Sequence, residues 1–372
     1  MDFVRTLAAE ASAGRTALLL APLGAGKTHT LVRVADTLRE GSVPFVFIDL
    51  FTAASTPECL LGTLSEAVRP FMEADAETIL SLSTEGALDR HRSSTALLRL
   101  LELLAKGTPS QPFIWLIDEV TEIRSLAYFK DLAHIELAFA TALGTSRGSV
   151  LTSSYLGLAA DLFPDFERVT LPGLHRTDLA GVPSLRSDSD AVGSAIAITL
   201  GFAATLLPLV DDMRETRDLT RSLVDLLRPG GRLELVCRRH YEVLLMRSRG
   251  YAVAKRAAEV VARLPRRRLT DLFPLIGRTA GASRQYLRWL VEVGLLTQNK
   301  KRYDFADPML GLWARLYLGR GDHPTEEEIA NAVGERAGQP EGRPELSERA
   351  ISEPLDVSSV PKKRVDRFEE ID

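Results

Sequence analysis

The chain has 372 residues, 45% of them hydrophobic, and a formal net charge of −4. That is enough apolar material for two or three packed domains, and the overall charge balance names no partner. Two widely separated cysteines, Cys59 and Cys237, exclude a cysteine-based metal or disulfide framework and suit a reducing cytoplasm. Residues Met1–Ala11 lack the apolar core of a secretory leader. The most apolar run, Ser194–Val210, is short for a membrane span and carries Pro208, so it reads as a buried helix pair and predicts no membrane association.

Charge is unevenly distributed. From Arg247 to Arg320 there are 16 Lys/Arg against 5 Asp/Glu, and from Gly321 to Asp372 there are 7 against 14. A basic region followed by an acidic tail predicts separate roles for the two.

In chain order, Met1–Gly14 predicts a short helix and Thr16–Leu20 a buried strand. Ala21–Thr28 (Ala-Pro-Leu-Gly-Ala-Gly-Lys-Thr) follows, then a helical pattern over His29–Glu40. Strand, Gly-rich loop and helix together form the context of a phosphate-binding loop. Gly24 and Gly26 let the backbone curl so that several N–H groups face one anion, and the helix adds its positive dipole end. In this reading Pro22, Leu23, Gly24, Ala25, Gly26, Lys27, Thr28 and His29 cradle a nucleotide. Lys27 reaches its β- and γ-phosphates, and the Thr28 hydroxyl holds Mg²⁺. The opening position, commonly Gly, is Ala21.

Pro44–Phe51 predicts a second strand, Thr56–Met72 a helix, Glu73–Thr95 a less regular stretch, and Thr95–Lys106 a strong helix. Phe113–Glu119 (Phe-Ile-Trp-Leu-Ile-Asp-Glu) reads as an apolar strand ending in two carboxylates. Asp118 is placed on the metal side and Glu119 as the base that polarises the attacking water. A helix is expected over Leu126–Leu143 and a fourth strand over Gly148–Ser154. Ser154 there reads either as a reader of the γ-phosphate or attacking water, or as a cap for a helix over Tyr155–Phe163. Phe166–Leu171 predicts a fifth strand. Residues 1–175 therefore read as an α/β core with a mostly parallel sheet, its site at the carboxyl ends of the strands.

Residues 176–250 read as a helical lid: a cap region at Ser187–Asp190, then helices over Asp190–Leu200, Ala203–Glu215, Asp218–Leu227 and Leu233–Arg249. Arg168, Arg176, Arg214 and Arg217 are candidates for an added positive charge at the γ-phosphate. Residues 251–320 predict three helices (Tyr251–Leu264, Leu269–Ile276 and Arg284–Val293) and a hairpin across Asn299–Lys301, then a closing helix from Met309. That order is a winged helix. Arg278, Arg284, Arg288, Lys300, Lys301 and Arg302 would face the phosphates of duplex DNA if the domain binds it. The equal alternative is a protein-recognition module with a solvated basic face. Residues 321–372 read as a largely disordered acidic tail with a helix near Thr325–Arg336 and a basic run at Pro361–Val365.

These parts resemble the archaeal-type ATPases, between the STAND NTPases and the origin-recognition branch of AAA+. The resemblance rests on Pro22–Thr28, Phe47–Asp49, Leu116–Glu119, Thr152–Ser154, Thr199–Val210 and the distal Tyr303-Asp304-Phe305-Ala306-Asp307-Pro308…Trp313, and covers residues 10–318. The sequence departs from the family pattern at Ala21, at Ser153 where Gly is frequent, and in a lid that keeps only Gly201 and Pro208 of a Gly-Gly-x-Pro motif. The resemblance implies ATP and Mg²⁺ as ligands, slow hydrolysis, and a switch whose nucleotide state repositions the winged helix. Two alternatives accompany it: a DNA-binding protein whose affinity ATP controls, and a nucleotide-dependent scaffold without useful hydrolysis. The oligomeric state is left open.

Overall fold

The computed structural model describes residues 3–144, 147–179 and 189–337. Ser187 of the expected cap and the basic run Pro361–Val365 lie outside the described residues, as do residues 338–372 of the tail.

The first part alternates helices and strands: α1 (Phe3–Ser12), β1 (Thr16–Leu20), α2 (Lys27–Glu40), β2 (Phe45–Asp49), α3 (Leu50–Ala53), α4 (Pro57–Val68), α5 (Ala76–Leu88) and α6 (Arg90–Lys106). Then come β3 (Ile114–Asp118), α7 (Ile135–Leu143), β4 (Gly148–Ser153), α8 (Leu156–Leu162) and β5 (Glu167–Thr170). The five strands form one parallel sheet in the order β2-β3-β4-β1-β5. Both faces are covered. One carries Ala17, Ile114, Leu116 and Val150 beneath α1 and α2, and the other carries Trp115, Ile117 and Leu151 against α4, α6 and α7. Continuous burial of β3 is why its sequence is an apolar run up to Asp118.

Three segments of this part differ from the sequence expectation. Strand β2 ends at Asp49 because the Asp49 carboxylate accepts from the Phe51 amide at 2.9 Å and caps α3, so Leu50 and Phe51 are helical. The stretch 73–95 is helical: Ile79, Leu82 and Gly86 of α5 are buried, and a Cβ on Gly86 would stand 2.3 Å from Leu61 Cδ2. Close approach to α4 is what that glycine permits. After β3, Val120–Tyr128 winds as a tight three-residue-per-turn helix burying Val120, Ile123 and Leu126 at every third position, and α7 starts only at Ile135.

The apolar run at 194–210 is a helix pair, α9 (Ser189–Thr199) and α10 (Ala203–Thr216), joined at Gly201. No helix among the described residues is long and apolar enough to cross a membrane. Next come α11 (Leu219–Leu227) and α12 (Arg232–Arg247), followed by α13 (Tyr251–Arg263), β6 (Arg267–Arg268), α14 (Leu269–Ile276) and α15 (Ala280–Glu292). The hairpin β7 (Leu296–Asn299) and β8 (Arg302–Phe305) precedes α16 (Pro308–Tyr317) and α17 (Glu326–Ala337). Strands β6, β8 and β7 form a small antiparallel sheet beside α13–α15, a winged helix. Helix α15 starts four residues before the expected Arg284, because the Thr279 hydroxyl accepts from the Ala282 amide and caps it. Buried apolar side chains from Leu179 to Val333 form one cluster, so the helices after the sheet and the winged helix share a core.

Candidate functional site

The site forms where β1, β3 and β4 end. After Leu20 the chain turns through Ala21–Gly26 and enters α2 at Lys27. Gly24 (φ 81°) and Gly26 (φ 106°) occupy the left-handed region that L side chains avoid. A Cβ on Gly24 would also lie 2.4 Å from His240 Cε1 and 2.9 Å from Ala204 Cβ. Ala21 is not left-handed and packs, buried, with Leu19, Ala25 and Leu171. The absence of glycine at that position therefore leaves the turn intact.

The Lys27 ammonium is buried. It donates to the carbonyls of Ala21 and Pro22, each at 3.1 Å, and pairs with Glu119 at 3.4 Å. The Thr28 hydroxyl donates to Asp118 Oδ2 at 2.6 Å, and the Thr152 hydroxyl donates to Asp118 Oδ1. Glu119 is itself left-handed (φ 49°), which ends β3 abruptly and swings its carboxylate towards β4. There the Ser154 amide donates to Glu119 Oε2 at 3.0 Å, and the Ser154 hydroxyl lies 2.7 Å from Oε1 and 2.6 Å from Oε2. Burial would raise the Glu119 carboxyl, but the Lys27 charge, the Ser154 hydrogen bonds and the Arg247 charge bring it below its ordinary value. Burial raises Asp118 against the bonds from Thr152 and Thr28, and lowers Lys27 against the charges of Glu119 and Asp118.

The three hydroxyls closing β4 divide the work by the alternation of a strand. Thr152 and Ser154 point to the carboxylates. Ser153 points the other way, its Oγ 3.0 Å from Thr121 Oγ1 and accepting from the Tyr155 amide at 3.0 Å. The helix-cap alternative considered for Ser154 is not met: Tyr155 stands at the N-cap of α8, which has no side-chain cap hydrogen bond. His29, exposed on α2, shares no hydrogen bond with this constellation. Arg168 and Arg217 are exposed, Arg214 pairs with Asp211 at 3.2 Å, and Arg176 lies against Gly193.

Two residues of α12 enter the site instead, and neither was singled out from the sequence. His240 sits over Gly24, and burial holds its ring down to about 4. Arg247 donates through Nη1 to Ser154 Oγ at 3.0 Å and through Nη2 to Glu122 Oε1 at 2.8 Å, with its guanidinium 4.7 Å from the centre of the Tyr155 ring. The legible signal was spacing. Leu233, Cys237, Tyr241 and Leu244 form the buried stripe of α12, and His240 and Arg247, seven apart, share the flank of that stripe.

Among the described residues no group of three His, Cys, Asp or Glu side chains could cage a metal ion. One hydroxyl and one carboxylate in contact suit Mg²⁺, which keeps waters and phosphate oxygens as its other ligands.

A search of solved structures finds a Walker-type ATPase of Pyrococcus abyssi at TM-score 0.57 and 18% identity, covering 84% of this chain and 94% of that one. The chain has the fold of a Walker-type ATPase. More distant are a Thermotoga maritima RuvB Holliday junction branch migration motor (TM-score 0.34, 13% identity, 81% and 90% covered) and a DNA replication initiation factor (TM-score 0.30, 13% identity, 94% and 91% covered). No family model matches the chain, and no curated protein matches it.

On this Walker-type fold the six basic residues Arg278, Arg284, Arg288, Lys300, Lys301 and Arg302 are all exposed; Arg288 also pairs with Glu292 at 3.1 Å and Arg302 donates to the Arg266 carbonyl. Lys300 (φ 47°) and Lys301 (φ 65°) are both left-handed at the tip of the wing, where such hairpins usually place Asn or Gly. Helix α15 packs on α8, and a Cβ on Gly294, just after α15, would lie 3.0 Å from the Ser154 carbonyl oxygen. The third helix of the winged helix therefore rests against α8 and the turn after β4, beside the site.

Proposed function

We propose that this chain is an ATP-binding and ATP-hydrolysing molecular switch of the AAA+/STAND kind, working in the cytoplasm. Its parts are a core (1–175), a helical lid (176–250), a winged helix (251–320) and an acidic tail (321–372). The observation that carries the reading is the meeting of Lys27, Thr28, Asp118, Glu119 and Ser154 at the ends of three parallel strands. The loop amides of Gly24–Thr28 bind phosphate, with Pro22, Leu23 and His29 at their edges. Lys27 exchanges its Glu119 partner for the β- and γ-phosphates. Thr28 and Asp118 hold Mg²⁺, which neutralises charge on the phosphate oxygens. Glu119, released from Lys27, accepts the proton of the attacking water, and Ser154 orients that carboxylate.

Because the lid and winged helix share a core, nucleotide state moves them as one body against the sheet. The test is ATP binding and phosphate release by the purified chain beside Lys27→Ala. The variant is expected to lose ATP binding; equal binding by both proteins would overturn the site.

A second reading, DNA binding controlled by ATP, is favoured by one observation: the six exposed cations on α15, its approach and the wing. Phosphate contacts by that set demand a steep fall in affinity as salt rises. A flat salt response would leave a protein as the partner of this surface.

A further inference from the structure

Helix α12 lays His240 across the phosphate loop, a contact that has no part in the nucleotide chemistry proposed above. The ring is half-buried and packs closely on Gly24: a Cβ there would lie 2.4 Å from His240 Cε1 and 3.2 Å from Nε2. Helix α10 holds the same glycine from another side, its Ala204 amide donating to the Gly24 carbonyl at 3.0 Å. An imidazole is therefore in contact with the backbone of the loop that is to receive phosphate.

The charges acting on that imidazole are of one sign. From its own helix it is Arg239, and from the phosphate loop it is Lys27. The first turn of α10, Ala203–Leu206, carries no ionisable side chain, and no carboxylate acts on the ring. Burial and the two cations hold the ring down to about 4, so it is neutral near pH 7. Histidine is the side chain whose ordinary titration lies nearest physiological pH, so a modest change of field moves it. Phosphate bound on Lys27 supplies such a change. It cancels the cation that acts on the ring and adds negative charge beside it.

Resting on the nucleotide site proposed at Gly24–Thr28, we infer that His240 takes up a proton when phosphates enter the loop, so the filled site gains a cation that the empty site lacks. The proton comes from water, sits on a ring nitrogen and returns to water when the loop empties. The sign of the linkage is fixed. The filled state binds the proton more tightly than the empty one, so nucleotide affinity rises as pH falls from 8 to 6. The γ-phosphate is not required, because the field comes from whatever phosphate rests on Lys27. Mg²⁺–ADP should therefore recruit the proton as well as Mg²⁺–ATP does.

The test is calorimetric titration of the full-length parent and His240→Gln with Mg²⁺–ADP, in buffers of different ionisation enthalpy at pH 6 and pH 8. ADP keeps hydrolysis out of the readout, and the slope of observed heat against buffer enthalpy counts the protons. The parent is expected to take up about half a proton more than the variant at pH 6 and under about a tenth more at pH 8. Relative to the variant, its affinity should rise about twofold over that interval. Changes at Lys27, Asp118 and Glu119 are common to both proteins and drop out of the difference. Equal proton counts, with both proteins binding ADP, would overturn the inference and leave the nucleotide site standing. No binding by either protein would overturn the nucleotide reading and the inference with it. A second measurement does not depend on the variant: the titration midpoint of the His240 ring, followed by NMR in the parent, should rise on adding Mg²⁺–ADP. A midpoint that stays in place in the ADP-bound protein would overturn the inference.

Discussion

Replacing Glu119 with Gln separates binding from hydrolysis, and the structure sets the direction of both effects. Lys27 and Glu119 lie 3.4 Å apart with side chains 4% and 11% exposed. At an effective dielectric of about 20, that separation corresponds to an attraction of roughly 5 kcal/mol. Removing one partner of a buried pair costs about 3–5 kcal/mol. The Ala21 and Pro22 carbonyls and the Asp118 charge continue to hold Lys27, so the low end, about 3 kcal/mol, applies to the free protein. In the nucleotide-bound protein, by contrast, Lys27 already faces phosphate and loses little. The difference between the two states appears as tighter ATP binding by about ten- to a hundredfold. Hydrolysis falls by about 10²–10⁴ because the base is gone. The assay is ATP titration together with phosphate release, supported by thermal unfolding with and without ATP. The free variant should unfold at lower temperature and recover most of the loss on adding nucleotide. Hydrolysis at the parental rate, or ATP binding weakened as in Lys27→Ala, would refute the reasoning.

Three further outcomes are expected. Gly24→Ala should lower stability and ATP affinity together, because the new Cβ meets His240 and Ala204 in a backbone conformation costing about 1–2 kcal/mol for an L residue; unchanged unfolding would refute the packing of α12 on the loop. The His240 ring is held down to about 4 from an unfolded value of 6.5, so the unfolded chain takes up the proton first. Its contribution to stability is complete above pH 6.5 and is lost progressively as pH falls towards 4, amounting to at most about 3 kcal/mol for a partly exposed ring. Denaturant unfolding between pH 7 and 5 should show this slope reduced in His240→Gln. Lys301→Gly should stabilise the wing by about 1 kcal/mol by relieving the left-handed conformation. If the surface binds DNA, it should also reduce the salt slope of binding by about one.

Much of this molecule is legible in its sequence because the signals are local. Gly24, Gly26, Lys27 and Thr28 act within one turn of chain, and the left-handed angles that demand the glycines are properties of single residues. The apolar run Ile114–Asp118 announces a strand buried on both faces, and its terminal carboxylates fall at the carboxyl end by chain direction alone. The winged helix is legible for the same reason: Thr279, Gly294 and the Asn299–Arg302 turn punctuate it locally. Where neighbours override local pattern, sequence reading falters. Stretch 73–95 looked irregular because what makes α5 a helix is the groove Gly86 offers to Leu61.

The composition of the site's rim was decided by tertiary structure. Arg247 lies 93 residues from Ser154 and 125 from Glu122, and only the packing of α12 across the ends of the strands brings them together. Among Thr152, Ser153 and Ser154, local chemistry is the same. Strand alternation aims the first and third at Asp118 and Glu119, while Ser153 turns away to Thr121 and the Tyr155 amide. Sequence determined which groups could bind phosphate and accept a proton, because those capacities belong to the residues and their immediate backbone. Which distant charges restrain those groups is a property of helices laid across the sheet, and only the folded chain supplies it.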